Sequence, residues 1–327
     1  MHHKSAFGLL VFLFFTCSVF AQTPTYRDLS NAADSIYKLK NYALAAETYS
    51  KALVANGYKA FVHDRYRYAC ALGQIGKADS AFYQLFYLAN RPHFHEFTPE
   101  GLTKDADLNP LKTDARWPEF YSIIKKQKDE AEKNYDLPLV TVLDEVYTED
   151  QKYRQQIDSI EKKFGFKSPE MQAHWLIIRE KDSINEIKVC KILDERGWLG
   201  ADIVGRKGAS ALFLVIQHAD IKIQEKYLPM MREAVKNKKA EGSSLALLED
   251  RVALRQGKKQ IYGSQISRTP TGEHFVQALD DPDNVDTRRA SVSLPPLAQY
   301  VSNWKIIWNV EAYKKRLPEF EKLLQKN

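Results

Sequence analysis

The sequence has few cysteines and lacks the short motifs of common catalytic and metal sites. Only three cysteines occur in 327 residues, Cys17, Cys70 and Cys190. So few thiols, placed far apart in the chain, do not form a disulfide framework. His-Glu-x-x-His, Gly-x-Ser-x-Gly and paired Cys-x-x-Cys are absent, so zinc and nucleophilic catalysis lose their strongest sequence signatures. We expect no metal and no cofactor.

The chain also has little long apolar sequence. Its most apolar run, Phe7 to Phe15, is too short to cross a bilayer, and no later stretch approaches the length of a membrane span. Lys4 precedes this run and Val19-Phe20-Ala21 follows it, which is the pattern of a cleaved export signal. We predict a signal peptide over residues 1–21 and a periplasmic or extracellular mature protein. A retained anchor and lipidation at Cys17 are the less favoured alternatives.

A strong charge of one sign is lacking as well. The formal net charge is +6, and lysines and arginines are spread along the chain without forming a basic block. Nucleic acid binding usually requires clustered basic residues. We therefore expect no nucleic acid partner.

Two segments of the N-terminal part resemble each other. The pattern of Asn41 to Leu53 recurs 36 residues later, from Lys77 to Ala89. Small residues recur where paired helices approach closely, at Ala33, Ala45, Ala69 and Ala81. This spacing resembles tetratricopeptide repeats, which form helical hairpins.

We assign residues 22–130 to such repeats, which would contact a protein or peptide partner. Two repeats are fewer than stacking normally needs, so Leu102 to Lys125 is predicted to cap the last hairpin. His93 and His95, in the loop before this cap, have metal-like spacing. Two histidines alone are weak evidence for a site, and we favour a surface loop.

Residues 138–313 are predicted to form a second, mostly helical domain, followed by a C-terminal helix or tail over 314–327. Thr148 to Gln151 matches a capping box, and Ser168-Pro169-Glu170 matches a helix start. Further helices are expected from Gly208 to Ala219, from Asp220 onward and from Ser243 or Ser244 to Gly257. Lys259 to Ile266 and His274 to Leu279 flank a turn cluster and predict one small β-hairpin. The predicted fold class is therefore mainly α.

A series of short motifs in this region then suggests a family. They occur in the order Asp182-x-x-Asn185, Gly197-Trp198-x-Gly200, Val204-Gly205-x-x-Gly208-Ala209, Gln217-His218-Ala219-Asp220, Leu248-x-Asp250-Arg251, Gly257-x-x-Gln260-x-Tyr262-Gly263-Ser264-Gln265, Asp281-Pro282-x-Asn284-Val285-Asp286-x-Arg288-Arg289 and Leu294-Pro295-Pro296-Leu297. Together they resemble the domain of unknown function numbered 6624, over roughly Asp144 to Tyr300. The family has threonine at the position of Ser264 and usually glycine at that of Ser293. The resemblance implies no particular activity.

His218 is the first candidate for chemistry, because a histidine titrates near neutral pH. It continues an apolar helix face with Ala211, Leu214 and Val215, which favours a core histidine. Asp220 is two residues further on and is expected to cap the next helix.

Arg251 is harder to explain by architecture alone. On a helical wheel, Arg251 and Arg255 fall within the apolar arc of their helix, and Asp250 borders it. A buried arginine must be paired, either with an acid such as Asp182 or Asp286 or with a carboxylate or phosphate ligand.

The remaining candidate ligand-binding residues are Trp198 and the polar side chains of the predicted hairpin, Gln260, Tyr262 and Gln265. The first functional hypothesis is an exported binding or scaffold protein in which the C-terminal domain recognises a polar or anionic ligand. The alternative is a cell-envelope hydrolase or transferase that uses His218 with Asp220, Asp250 or Arg251.

Overall fold

The structure is a computed structural model that describes residues 24–91, 97–269 and 271–324. These residues divide into two compact units, up to Glu130 and from Ala131 onward. The fold is mainly α with one small antiparallel hairpin, which confirms the predicted fold class. None of the helices in the described ranges is long and apolar enough to cross a membrane. The predicted signal peptide and the His93–His95 loop lie outside the described residues.

The N-terminal unit is a series of antiparallel helical hairpins. Its helices are α1 (Tyr26–Lys38), α2 (Tyr42–Ala55), α3 (Val62–Gln74), α4 (Ala78–Ala89), α5 (Pro99–Lys104) and α6 (Trp117–Glu132), with a 3₁₀ helix over Ala106–Leu111. α1 packs on α2, and α3 packs on α4. Ala33, Ala45, Ala69 and Ala81 have no exposed surface, so the paired helices approach closely where the repeat pattern places small residues.

The residues predicted to close the last hairpin do enter the same hydrophobic core. Leu102, Leu108 and Leu111 are at most 1% exposed, and Phe120 is 2% exposed. Leu111 lies against Gly73 of α3, where a methyl group added to the glycine would come within 2.9 Å of its side chain. The close fit requires a residue without a side chain on α3 at this point.

The C-terminal unit contains nine helices within the described ranges and the hairpin. The helices are α7 (Leu137–Arg154), α8 (Ile157–Phe164), α9 (Pro169–Arg196), α10 (Ala201–His218), α11 (Ile221–Lys236), α12 (Gly242–Arg255), α13 (Val285–Ser291), α14 (Leu297–Val301) and α15 (Val310–Leu324). α7 packs on both α9 and α10, and α11 packs on α12. A second core, over α13 to α15 and the hairpin, includes Phe275, Leu297 and Phe320. The predicted boundary between residues 313 and 314 falls inside α15.

Two of the predicted helix starts have the expected capping residue, and the one predicted at Thr148 does not. Ser168 and Asp220 accept hydrogen bonds from the backbone of α9 and α11, as their sequence positions predict. The prediction of a capping box at Thr148 is wrong, because Thr148 lies inside α7. Its hydroxyl donates to the carbonyl of Asp144 at 2.7 Å, while Asp136 caps the helix start.

α10 and α12 also begin differently from the prediction. α10 begins at Ala201 and contains a kink at Gly205, whose φ of 69° and ψ of 167° are not helical. α12 begins at Gly242 after Glu241, and neither Ser243 nor Ser244 is its cap. The glycine-containing segment before Gly208 is therefore part of a bent helix.

The hairpin strands β1 (Ile266–Arg268) and β2 (His274–Val276) are shorter than predicted. Ile266 pairs with Val276, and Arg268 pairs with His274. The segment before β1 is not a strand, because its backbone turns around the Asp250 carboxylate. Next to the hairpin, the backbone N–H of Gln277 donates to the carbonyl of Gln265 at 3.2 Å, and Gln260 and Leu279 form an isolated parallel bridge.

Candidate functional site

His218 ends α10 beside an aspartate of α7 that its sequence neighbourhood does not reveal. Nδ1 of His218 lies 2.9 Å from Oδ1 of Asp150, and an ionised carboxylate can only accept, so Nδ1–H donates. The Asp150 side chain is 1% exposed, whereas that of His218 is 19% exposed. Within the described ranges Nε2 of His218 has no hydrogen-bond partner. The buried carboxylate therefore orients the ring and leaves Nε2 available to a ligand.

Arg154 connects Asp150 to α9. One guanidinium nitrogen is 2.7 Å from Oδ2 of Asp182, and the other is 3.3 Å from Oδ1 of Asp150. Arg154 follows Asp150 by four residues on the same helix face. The second oxygen of Asp182 is buried without a partner among the described residues.

Asp150, Asp182 and His218 also meet the geometric requirement for holding a metal ion. One possible ligand atom from each lies within 4.8 Å of the others. The Arg154 guanidinium contacts both carboxylates and supplies the positive charge that a cation would bring. Arg154 therefore offsets one of the two carboxylate charges of the trio.

Two arginines of α12 donate to the carbonyls on either side of His218. Arg251 donates to the carbonyl of Gln217 at 2.7 Å, and Arg255 donates to that of Ala219 at 2.8 Å. Cations are favoured at the C-terminus of a helix, where carbonyls lack intrahelical partners. These contacts explain why both arginines lie on the apolar arc of α12.

Arg251 does not have the ion pair that a buried arginine was expected to need, and Arg255 is exposed. Within the described part of the chain, no carboxylate lies within 4.0 Å of either guanidinium. The expected pairing of Arg251 with Asp182 or Asp286 is wrong. Asp182 pairs with Arg154, and Asp286 accepts from the backbone N–H of Leu297 at 2.6 Å.

The pKa values of Asp150 and Arg251 are shifted by burial and by neighbouring charges. Burial acts to raise the pKa of Asp150, but the hydrogen bond and charge of His218 and the charge of Arg154 hold it below its ordinary value. Burial, together with the charges of Arg255 and Arg154, lowers the pKa of Arg251 to about 10. Arg251 is still a cation at neutral pH, and its lowered pKa reflects first its burial and then the nearby positive charges.

Asp250 organises the turn before the hairpin and does not contact His218. Its carboxylate, which has no exposed surface, accepts from the backbone N–H groups of Ile261, Tyr262 and Ser264 at 2.6, 2.9 and 2.9 Å. Burial raises the pKa of Asp250, although these three hydrogen bonds act to lower it. The role of Asp250 is to fix the backbone.

The two glutamines of this segment satisfy neighbouring groups of the protein. Gln260 is fully buried and donates to the carbonyls of Gln265 and Gln277. Gln265 accepts from Nε of Arg251 at 3.0 Å and donates to the carbonyl of Leu247. Gln265 therefore supports Arg251, while Gln260 supports the turn.

The other predicted site residues lie apart from His218 or serve the fold. Trp198 is 5% exposed and belongs to the hydrophobic core that residues from α7 through α12 form. Asp220 caps α11, and Tyr262 offers its backbone to Asp250 and to Arg289. The structure brings together His218, Arg251 and Gln265 of the predicted residues, and adds Asp150 and Arg154 to them.

The pattern of a family described as a family of unknown function, DUF6624, matches residues 139–311. This is more than half of the chain. The chain belongs to this family. No curated protein and no solved structure matches it.

The DUF6624 match contains every residue that surrounds His218. We call this group the His218 centre, and it consists of Asp150, Arg154, Asp182, His218, Arg251, Arg255 and Gln265. At Ser293, where the resemblance led us to expect glycine, the structure has a φ of 61°, a left-handed conformation that glycine adopts most easily. Within the DUF6624 region, Asp150 and Arg154 were missed because their one sequence signal is an acid and an arginine four residues apart on α7.

Proposed function

We propose that this chain is an exported binding protein whose DUF6624 domain recognises an anionic group of a ligand beside His218. The N-terminal hairpins, interpreted as tetratricopeptide-like repeats, hold a protein or peptide partner. The ligand group is a carboxylate or a phosphate, because these are the anions whose oxygens match guanidinium donors.

One observation carries this proposal. Arg251 and Arg255 flank His218 through the carbonyls of its two neighbours, and no carboxylate of the described residues pairs with either guanidinium. Arg251 lies near the positive charges of Arg255 and Arg154, and this repulsion favours an anion beside it. His218 adds a ring nitrogen that donates to an anion once the ring is protonated. The Asp150–His218 contact occupies Nδ1 and leaves Nε2 as the ring nitrogen that could meet a ligand.

A thermal-shift titration of the mature chain tests the anion site. The probes are inorganic phosphate, succinate and citrate, with chloride salts at equal ionic strength as the reference. A bound anion must raise the melting temperature in a concentration-dependent way. Arg251→Gln should abolish the rise, whereas Arg232→Gln, which removes an arginine paired with Glu249 on the surface, should not. Stabilisation by none of the three probes, or equal stabilisation of Arg251→Gln, contradicts the proposal.

A second candidate function follows from the contact between Asp150 and His218. A buried carboxylate that orients a partly exposed histidine is the arrangement by which many enzymes hold a general base or acid. In this version the domain is a hydrolase or transferase, and Asp150 takes the role considered for Asp220 or Asp250. Screening envelope ester, amide and glycan substrates tests it. His218→Gln should abolish an activity while the melting temperature changes little, and a large loss of stability without any detected activity opposes it.

Export and partner binding need separate tests. N-terminal sequencing of the protein recovered from the cell envelope should begin at Gln22 if the predicted signal is cleaved. A pull-down from envelope extracts should recover a partner with the full mature chain and lose it with a chain that starts at Pro138. An unprocessed N-terminus opposes export, and equal recovery by both chains opposes a role for the hairpins in binding.

A further inference from the structure

A cavity in the C-terminal unit lies apart from the His218 centre. It has a volume of about 1020 Å³ and lies between the segment that joins α8 to α9 and the β-hairpin. Phe166, Trp175 and Trp304 line it, and Phe166 is 49% exposed. None of its lining residues belongs to the His218 centre. These three aromatic rings present apolar surface to the cavity, and a ligand that buried this surface would gain binding free energy.

The polar wall of this cavity is a chain of three side chains. Arg268 of β1 donates from one guanidinium nitrogen to Glu161 at 2.7 Å and from Nε to Nε2 of His274 at 3.0 Å. Because arginine cannot accept, Nε2 of His274 is the acceptor and its proton is on Nδ1. The Arg268 guanidinium also lies 4.8 Å from the centre of the Phe166 ring.

This wall has no net charge but many hydrogen-bonding groups. The charges of Arg268 and Glu161 cancel, and His274 is held as a neutral acceptor. Burial and the charge of Arg268 lower the pKa of His274, which keeps the ring neutral. Lys167 at the rim is the one lysine of the lining and is exposed. An anionic ligand would therefore meet little positive charge in this cavity to offset its own.

We propose that this cavity binds a saccharide. The C–H faces of a sugar ring are apolar and pack on aromatic rings such as Trp175 and Phe166, and its hydroxyl groups both donate and accept hydrogen bonds. The Arg268–Glu161 pair offers planar donors and acceptors side by side, which matches neighbouring hydroxyls. A purely apolar ligand would cover these polar groups without offering them further hydrogen bonds.

The volume also fits an occupant of more than one sugar ring. Ligand cavities in proteins typically enclose about 300–1,000 Å³, which places this one at the upper end of that range. Trp304 and His274 also line a neighbouring groove of about 500 Å³ on the side of α15. An oligosaccharide is therefore the expected form of the ligand.

Calorimetric titration of the full mature chain with the neutral saccharides chitotriose and maltotriose tests the proposal, after an array of glycans has extended the choice of probes. At least one saccharide should bind and change the tryptophan fluorescence. Trp175→Ala and Phe166→Ala should each weaken that binding by about tenfold or more. Leu176→Ala removes a 63% exposed side chain next to Trp175 on α9 and should leave the affinity unchanged.

Two further variants separate this site from the others. Glu161→Gln keeps the size of the side chain but breaks the charge balance with Arg268, and it should weaken saccharide binding. Arg251→Gln should bind the saccharide as the wild type does, because it alters only the His218 centre. The proposal is overturned if no saccharide on the array or in solution binds, if an extended peptide binds here instead, or if both aromatic variants keep full affinity.

Discussion

Nδ1 of His218 lies 2.9 Å from the Asp150 carboxylate, although the two residues are 68 positions apart in the sequence. The contact joins the C-terminus of α10 to α7, and Arg154 extends it to Asp182 on α9. Three helices of the DUF6624 domain thus meet at one hydrogen-bonded charge network. Such networks are costly to break because they leave a buried charge uncompensated.

Replacing Asp150 should therefore destabilise the C-terminal unit strongly. Asp150→Ala leaves His218 and Arg154 without their buried acceptor, and we expect a loss of about 3–5 kcal/mol in the free energy of unfolding. Urea denaturation followed by circular dichroism measures it. Asp144→Ala, on the same helix but 45% exposed and 3.7 Å from Lys207, should cost less than about 1 kcal/mol. Equal losses for both variants would show that the network contributes no special stability.

The lowered pKa of Asp150 predicts a specific acid sensitivity. A carboxyl whose folded pKa is depressed contributes stability that is complete above its unfolded value of about 3.9. This contribution is lost as the pH falls through the lower, folded value. Asp150→Asn removes it, so the free energy of unfolding of the variant should fall less steeply than that of the wild type between about pH 5 and the acid transition. Parallel curves over this range would contradict the assignment.

Asp250 should matter for stability through the backbone that it holds. Asp250→Ala leaves three backbone N–H groups without their acceptor, of which that of Ser264 is buried, and each is worth about 1–3 kcal/mol where water does not replace the carboxylate. We expect a loss of at least about 3 kcal/mol by urea denaturation. Glu249→Ala, which removes the neighbouring side chain paired with Arg232, should cost about 1 kcal/mol or less. A mild effect of Asp250→Ala would mean that water replaces the carboxylate in the turn.

The kink of α10 predicts a different kind of effect. Gly205 has a φ of 69° and a ψ of 167°, which are accessible almost only to glycine. Gly205→Ala should cost about 1–3 kcal/mol through backbone strain, because the added methyl group itself would make only an ordinary contact with the Tyr135 ring at 3.4 Å. Gly242→Ala, at an unstrained position in the first turn of α12, should be neutral or slightly stabilising. Thermal unfolding of both variants compares them directly.

Local chemistry made much of the fold predictable. Ser168 followed by Pro169 marks a helix start because both residues satisfy or avoid the free N–H groups of a first turn. Thr148 carries a similar signal, but the apolar stripe of Leu143 and Val146 keeps it inside α7. Packing along a whole helix outweighed a local capping preference of about 1 kcal/mol.

The candidate site was only partly predictable, because its contacts join distant segments. The helical wheel indicated correctly that Arg251 lies on an apolar arc, but it does not identify the partner. Backbone carbonyls of α10 provide that partner, and carbonyls leave no trace in a sequence pattern. Asp150 was missed for the same reason, since only the packing of α7 against α10 brings it to His218.

The Asp250 carboxylate has a consequence for how the C-terminal unit unfolds. It belongs to α12, one residue before Arg251, and it holds the backbone that leads into β1 and Arg268. The end of α12 and the segment that enters the hairpin therefore cannot separate without leaving the backbone N–H groups of Ile261, Tyr262 and Ser264 in need of new acceptors. We expect both to exchange their amide hydrogens together, as one cooperative unit.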